Sequence, residues 1–344
     1  MQATYQKYIL NFKRPSGTSR GVLTTKETWF LILKDGDKKG IGECGILRTL
    51  SFDDRPDYEQ KLQWVCQNIS LGKEALWEAL CEFPSIQFGV EMAFLSLKSN
   101  DPFILFPSAF TRGKDAIPIN GLVWMGEKAF MKKQIGEKLA QGFSCIKLKI
   151  GAIDFNAELE LLKYIRTQFT SEKIEIRVDA NGAFSPEEAL EKLDKLSEYH
   201  IHSIEQPIKA GHWEKMKELC QLSPIPVALD EELTGITSLE EKRKLLQRIN
   251  PQYVIFKPSL IGGFKGTGDW LDMADELGIG WWVTSALESN IGLNAISQWT
   301  YNTSSPLPQG LGTGGLYTNN ISSPLYLEKG TIKYNPGLKW DFKF

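Results

Sequence analysis

Residues 142–184, GFSCIKLKIGAIDFNAELELLKYIRTQFTSEKIEIRVDANGAF, read as strand, helix, strand. Cys145-Ile146-Lys147-Leu148-Lys149 alternates apolar and charged side chains, the period of a short strand. Leu159, Leu162 and Ile165 recur at helical spacing, and residues 174–178 return to a strand that runs into Asp179-Ala180-Asn181-Gly182. Both strands end in charge, Lys149 and Asp179, one βα unit apart. Ligands of parallel α/β folds sit at the carboxyl ends of strands, so these two charges are expected to share a site.

The pattern extends outward at a near-constant period. Lys149 to Asp179 is 30 residues, Asp179 to Glu205 is 26, Glu205 to Asp230 is 25 and Asp230 to Lys257 is 27. Strand-like runs fall at residues 117–123, 145–149, 174–179, 202–205, 227–230, 253–257 and 280–285, with helical stretches between them, such as residues 186–198 capped by Ser185. Roughly seven or eight such units fit before Leu311, the number a (β/α)8-type barrel needs.

The first 112 residues have another texture. Residues 2–12, 28–34 and 41–44 alternate like strands, Asp35-Gly36-Asp37 suits a hairpin turn, and residues 57–97 turn helical. Residues 14–21 (RPSGTSRG) read as a connector that could serve as a lid, with Gly17 and Gly21 as hinges and Arg20 as a cation. The expected organisation is an α+β capping domain at 1–112, a barrel at 113–320, and a C-terminal segment at 321–344 whose hairpin packs back on the cap.

Composition excludes several classes. The chain has 344 residues and a formal net charge of −2 without a dense basic block, which argues against nucleic-acid binding. No apolar run is long enough for membrane insertion. Five scattered cysteines form no CxxC and suit reduced thiols. The expected setting is cytoplasmic; oligomeric state is not legible.

Three carboxylates, Asp179, Glu205 and Asp230, end three consecutive strands, and a lysine ends the strand on each side. Carboxylates crowded in this way need a cation, and all-oxygen ligation favours Mg²⁺, for which Mn²⁺ can substitute. Zinc is disfavoured, since His200, His202 and His212 are the only histidines and none ends a strand. A lysine beside a metal can serve as a base toward the carbon next to a substrate carboxylate.

The set K-x-K (Lys147, Lys149), D-A-N (Asp179 to Asn181), E-Q-P (Glu205 to Pro207), D-E (Asp230, Glu231) and K-P (Lys257, Pro258) resembles the enolase superfamily, in its muconate-cycloisomerase-like subgroup. That resemblance covers nearly the whole chain. It implies a (β/α)7β TIM-like barrel with an N-terminal α+β capping domain completed by the C-terminal segment. It further implies metal ligands Asp179, Glu205 and Asp230, acid/base lysines Lys149 and Lys257, and Asn181 and Glu231 behind them.

Within the subgroup, residues 17–21, Arg177, residues 256–263 and residues 285–293 are similar to the o-succinylbenzoate synthase family of menaquinone biosynthesis. The resemblance implies syn dehydration of a succinyl-hydroxycyclohexadiene carboxylate through an enediolate. Lys149 would move the proton, and Lys257 would place its charge over the ring. Ser19, Arg20, Lys147, Gly262, Gly263 and Ser285 would contact the small carboxylate substrate. A dipeptide epimerase or N-acylamino acid racemase of the same superfamily is the alternative. The Asp-x-Asp that dipeptide epimerases carry at the last strand is absent, and residues 310–316 read GLGTGGL. A barrel that binds a small anion without catalysis is the reading from another class, and the intact lysine pair argues against it.

Overall fold

The computed structural model describes residues 1–18 and 21–343. The chain begins with a long hairpin, β1 (Gln2–Thr18) and β2 (Gly21–Asp35), followed by β3 (Lys38–Gly45) in an antiparallel sheet of order β1-β2-β3. β1 pairs with β2 from Gln2↔Lys34 to Asn11↔Thr25, loses register, and resumes at Ser16↔Leu23. This corrects the reading of residues 14–21 as a free connector: residues 16–18 are paired strand, and Gly17 is opposite Val22. Glycine, serine and proline disguised a strand whose pairing comes from its partner. Ser19 and Arg20 lie outside the described residues.

Three helices complete the cap: α1 (Tyr58–Gln67), α2 (Lys73–Glu78) and α3 (Pro84–Lys98). α3 is buried almost throughout, and it lies so close to β3 that a Cβ on Gly42 would stand 1.8 Å from the carbonyl oxygen of Gly89. Only glycine permits that approach. The strand–helix contact fixes the cap as one packed layer pair.

Next come β4 (Ala116–Pro118), β5 (Gly121–Val123), α4 (Lys128–Ala140), β6 (Cys145–Lys149), α5 (Phe155–Gln168), β7 (Glu175–Asp179) and α6 (Ala189–Ser197). They are followed by β8 (Ser203–Glu205), α7 (Trp213–Leu222), β9 (Val227–Leu229), α8 (Leu239–Ile249), β10 (Tyr253–Phe256), α9 (Gly263–Glu276), β11 (Gly280–Val283) and α10 (Asn290–Asn302). Seven strands, β5 to β11, form one parallel sheet in sequential order. The eighth staves are single bridges: Gln309 pairs in parallel with Ile119, and Gly310 with Thr284. They join the two edges of the sheet, which gives the (β/α)7β barrel. Apolar residues on the outer faces of the strands, such as Ile146, Val178 and Ile204, pack with those of the helices in one continuous core.

Two local expectations need correction. Residues 117–123, read as a single strand, are two: Pro118 ends β4, and only β5 enters the barrel. The helix expected from residue 186 starts at Ala189, while Ser185 Oγ accepts the backbone N–H of Glu188 (3.3 Å) in the turn before it.

The C-terminal hairpin, β12 (Leu325–Glu328) and β13 (Thr331–Tyr334), pairs with β4 and not with the cap sheet. The return to the cap is made on either side of it. Thr318 donates its N–H to Asn11 (2.9 Å), Asn319 Oδ1 accepts from the Asn11 N–H (2.8 Å), and the Phe342 ring meets Phe30 edge-on at 5.2 Å. No helix among the described residues is long and apolar enough to cross a membrane.

Candidate active site

Strand register alone brings the charged ends together. Lys149 is the ladder partner of Asp179, and Asp179 that of Glu205. Residues two apart share a face, so Lys147 and Lys149 project from β6 to the same side as Arg177 and Asp179 from β7. Asp179, Glu205 and Asp230 are 0%, 2% and 5% exposed, a burial that carboxylates tolerate only with compensation.

In this arrangement the compensation comes from lysines. Lys147 pairs with Asp179 Oδ2 (2.9 Å) and with Glu205 Oε2; Lys257 donates to Asp230 Oδ2. Lys149 donates to Asp179 Oδ2 (2.9 Å) and to Asn181 Oδ1 (2.6 Å). Among the described residues no three acidic, histidine or cysteine side chains already converge at ligand distance, because ammonium groups lie between the carboxylates. The expected meeting of three carboxylates at one spot is thus replaced by alternating carboxylates and lysines.

The electrostatics follow from that alternation. Burial opposes ionisation of Asp179, yet Lys147, Lys149 and Lys257 together hold its carboxyl well below the usual range. Burial also works against Asp230, and Lys257 overcomes it and lowers the carboxyl. Glu205 goes the other way: burial and then the charge of Asp179 push it up to about 8. Burial would lower Lys147 and Lys257, but the facing carboxylates, Asp179 and Glu205 for one and Asp230 for the other, raise both.

One atom is left over. Glu205 Oε1 is buried and has no hydrogen-bond partner. A buried carboxylate oxygen without a donor, in a ring of oxygen donors, fits a hard divalent cation. Behind the ring, Asn181 donates its N–H to Asp179 Oδ1 (3.0 Å) and its carboxamide to Glu231 Oε1 (3.1 Å).

A cavity of about 320 Å³ opens above these groups, lined by Lys147, Lys149, Asp179, Asn181 and Lys257, and by Ser285 and Thr313 on the opposite wall. The hairpin residues Gly21, Val22 and Leu23 and the cap loop residues Leu47 to Leu50 cover it, with Leu122 and Trp124 adding apolar wall. The mixture of apolar wall and convergent charge is that of a small-molecule site.

Other expected contacts lie elsewhere. Gly262 and Gly263 do not line this cavity. They stand at the domain seam, where the Glu91 carboxylate of α3 accepts the N–H groups of Phe264 (2.5 Å) and Lys265 (3.1 Å). Arg177 is sealed below the mouth, stacked on Trp282 at 4.2 Å and bonded to Glu175 (2.6 Å) and to the Pro308 carbonyl (2.9 Å). Ser285 lines the cavity, but its hydroxyl donates to Glu288 (2.5 Å).

Some members were not anticipated. Gln206, with φ of 41°, turns its side chain to accept the Asp230 N–H (3.2 Å) and to donate to the Ile208 carbonyl (3.0 Å), tying β8 to β9. Its only sequence signal was its place in E-Q-P. Glu288 and Thr313 fall in the quoted stretches 285–293 and 310–316, but the bonds of Glu288 to Ser259 and of Thr313 to Ser285 span 29 and 28 residues and left no local signal of a role.

Comparisons with known proteins give the family. Residues 131–338 match the enolase C-terminal domain-like family, and residues 2–97 match the MenC N-terminal domain. The chain is 46% identical to the o-succinylbenzoate synthase of Desulfotalea psychrophila, over 96% of this chain and 98% of the relative. It belongs to the o-succinylbenzoate synthase family. The crystal structure of MenC from that organism superposes with a TM-score of 0.86, at 42% identity, covering 97% of this chain and 99% of the other. The L-Ala-D/L-Glu epimerase of Bacillus subtilis, at 19% identity, shares the fold with a TM-score of 0.84 over 97% and 96% of the two chains. The family lies within the enolase superfamily, whose members depend on a divalent metal.

Proposed function

We propose that this protein is an o-succinylbenzoate synthase, a carbon–oxygen lyase that dehydrates a succinyl-hydroxycyclohexadiene carboxylate to o-succinylbenzoate in menaquinone biosynthesis. The observation that carries the chemistry is a single cavity lined by Lys149 from β6 and Lys257 from the end of β10, with Asp179 between them in the sheet order. Asp179, Glu205 and Asp230 would hold the cation, for which Mg²⁺ is the choice on donor type. When bound, it supplies positive charge at the substrate carboxylate, which acidifies the adjacent ring carbon.

The protein groups do the rest. Lys149 Nζ takes the ring proton as its C–H bond breaks, then returns a proton to the departing hydroxyl, which leaves as water when the C–O bond breaks. One lysine handling both transfers accounts for a syn course. The Lys257 ammonium, next to Asp230 and within the same cavity, offers charge to the anionic ring between the two transfers. The apolar side of the cavity, Leu122, Trp124 and Leu287, accepts the ring and limits water. Lys147, shared by Asp179 and Glu205, helps to keep Asp179 ionised and holds the two acids in register.

The reading places the enzyme in the cytoplasm, acting on a small carboxylate without nucleic acid. Purified protein with Mg²⁺ and the hydroxycyclohexadiene substrate should aromatise it, followed by absorbance. Exchange of an α-proton of an N-acyl amino acid in deuterated water, with no aromatisation, would transfer the protein to the epimerase and racemase branch.

A further inference from the structure

The loop between Lys149 and α5 is held from behind by a carboxylate that the chemistry above does not use. Glu158, in the first turn of α5, is 2% exposed. Its Oε1 accepts the Gly151 N–H at 2.6 Å, and its Oε2 is buried with no hydrogen-bond partner. The helix start is already capped by Asp154, whose Oδ1 accepts the Ala157 N–H (3.1 Å). Glu158 is therefore not the N-cap; it turns back to the loop instead. Burial pushes its carboxyl up to about 7, against the pull of the Gly151, Ile153 and Ala152 N–H groups and the charge of Lys192.

Gly151 is the point at which this loop leans on its neighbour. Its φ is 93°, and a Cβ on it would stand 2.5 Å from Ala183 Cβ. Glycine thus lets the β6–α5 loop touch the turn that follows Asp179. Two further contacts join the same pair of loops. The Ile150 N–H goes to the Asp179 carbonyl (2.8 Å), and the Phe155 ring meets Phe184 edge-on at 6.2 Å. The turn after Asp179 carries Asn181, at φ of 46°, whose Oδ1 accepts from Lys149 Nζ (2.6 Å). A line of contacts therefore runs from Glu158 through Gly151 and Ala183 to Asn181 and the Lys149 ammonium.

We propose that Glu158 is a positioning residue for Lys149: by holding the Gly151 N–H it keeps the β6–α5 loop against the 180–183 turn and fixes where the Lys149 ammonium stands. Neither Glu158 nor Gly151 lines the cavity, so the effect passes through the loop. A proton carrier displaced by about one ångström loses up to about a hundredfold in rate, while binding, which does not need that alignment, is nearly spared. This assignment rests on the dehydratase reading, in which Lys149 moves the ring proton.

The test separates reach from charge. Glu158→Gln keeps an oxygen for the Gly151 N–H and should hold kcat within about threefold of wild type. Glu158→Asp keeps the charge but falls one methylene short, and should lower kcat about 10- to 100-fold with KM within about threefold. Glu158→Ala, which leaves no charge to bury, should show the same split. With substrate deuterated at the carbon that loses its proton, the isotope effect on kcat should be larger in Glu158→Asp and Glu158→Ala than in wild type. Hydrogen exchange gives a readout independent of turnover: in both variants it should quicken at residues 150–153 and at residues 180–183 together. Quickening confined to 150–153, unchanged kcat in Glu158→Ala, or equal loss in Glu158→Gln and Glu158→Asp overturns the positioning role, while wild-type aromatisation still upholds the dehydratase. Absence of aromatisation in the wild type overturns both.

Discussion

Two sets of buried carboxylates occupy this molecule, and they are satisfied in opposite ways. At the domain seam, Glu43 of β3 accepts the Thr28 hydroxyl (2.9 Å), the N–H (2.8 Å) and hydroxyl (2.6 Å) of Ser289, and the Gly292 N–H (2.8 Å). Glu91 of α3 does the same at the start of α9. Each cap glutamate therefore closes the first turn of a barrel helix, where free N–H groups and the helix dipole favour negative charge. At the mouth, Asp179, Glu205 and Asp230 have lysines instead, and Glu205 Oε1 has no hydrogen-bond donor. Seam acids are finished by the fold and hold two domains together. Mouth acids are held by groups that can move, which leaves them able to take a cation.

If that contrast is right, substitutions in the two sets should fail differently. The largest effect belongs to the mouth. Lys149→Ala removes the proton carrier, so kcat should fall by ~10²–10⁴ with the melting temperature nearly unchanged. Steady-state kinetics beside thermal melts check it, and a variant that unfolds would make Lys149 a structural residue. Lys257→Arg should retain more activity than Lys257→Ala, since it keeps a charge at the ring.

The seam comes second. Glu43→Ala leaves four donors without their acceptor and removes one of the charges facing the buried Lys26 ammonium, which should cost about 3–5 kcal/mol in denaturant unfolding. Molecules that remain folded should keep kcat. A large loss of kcat at full stability would erase the distinction between the two sets.

The smallest effect is a pH dependence at Glu91. Burial raises its carboxyl from 4.5 to about 7, against the pull of the Phe264 and Lys265 N–H groups. The folded state then binds a proton that the unfolded state has released, so this contribution is full below about 4.5 and is lost as pH rises through about 7. Melts of wild type and Glu91→Gln between pH 4 and 8 should therefore converge at the acid end, and the wild type should fall behind as pH rises. Parallel curves would show that Glu91 stays ionised throughout.

The mouth was legible in the sequence and the seam was not, for a physical reason. Lys149, Asp179, Glu205, Asp230 and Lys257 recur at the period of the βα unit, so local spacing already implies a common rim. Glu43 and Ser289 are 246 residues apart, and Glu91 and Phe264 are 173. Nothing in either neighbourhood announces the other. The same holds for the barrel closure, where Gln309 and Gly310 contribute single bridges too short to carry a strand period. It holds also for Gly262 and Gly263, whose glycine pair reads as a ligand cradle until Glu91 is seen to fill it.

The most direct test of the mouth as a cation-dependent dehydratase site is a Mg²⁺ titration of chelator-treated protein, read as the rate of substrate aromatisation. The account predicts no aromatisation without the cation, saturable recovery with Mg²⁺, and recovery in Asp230→Asn only at higher Mg²⁺ concentration. Undiminished aromatisation in excess chelator would contradict it.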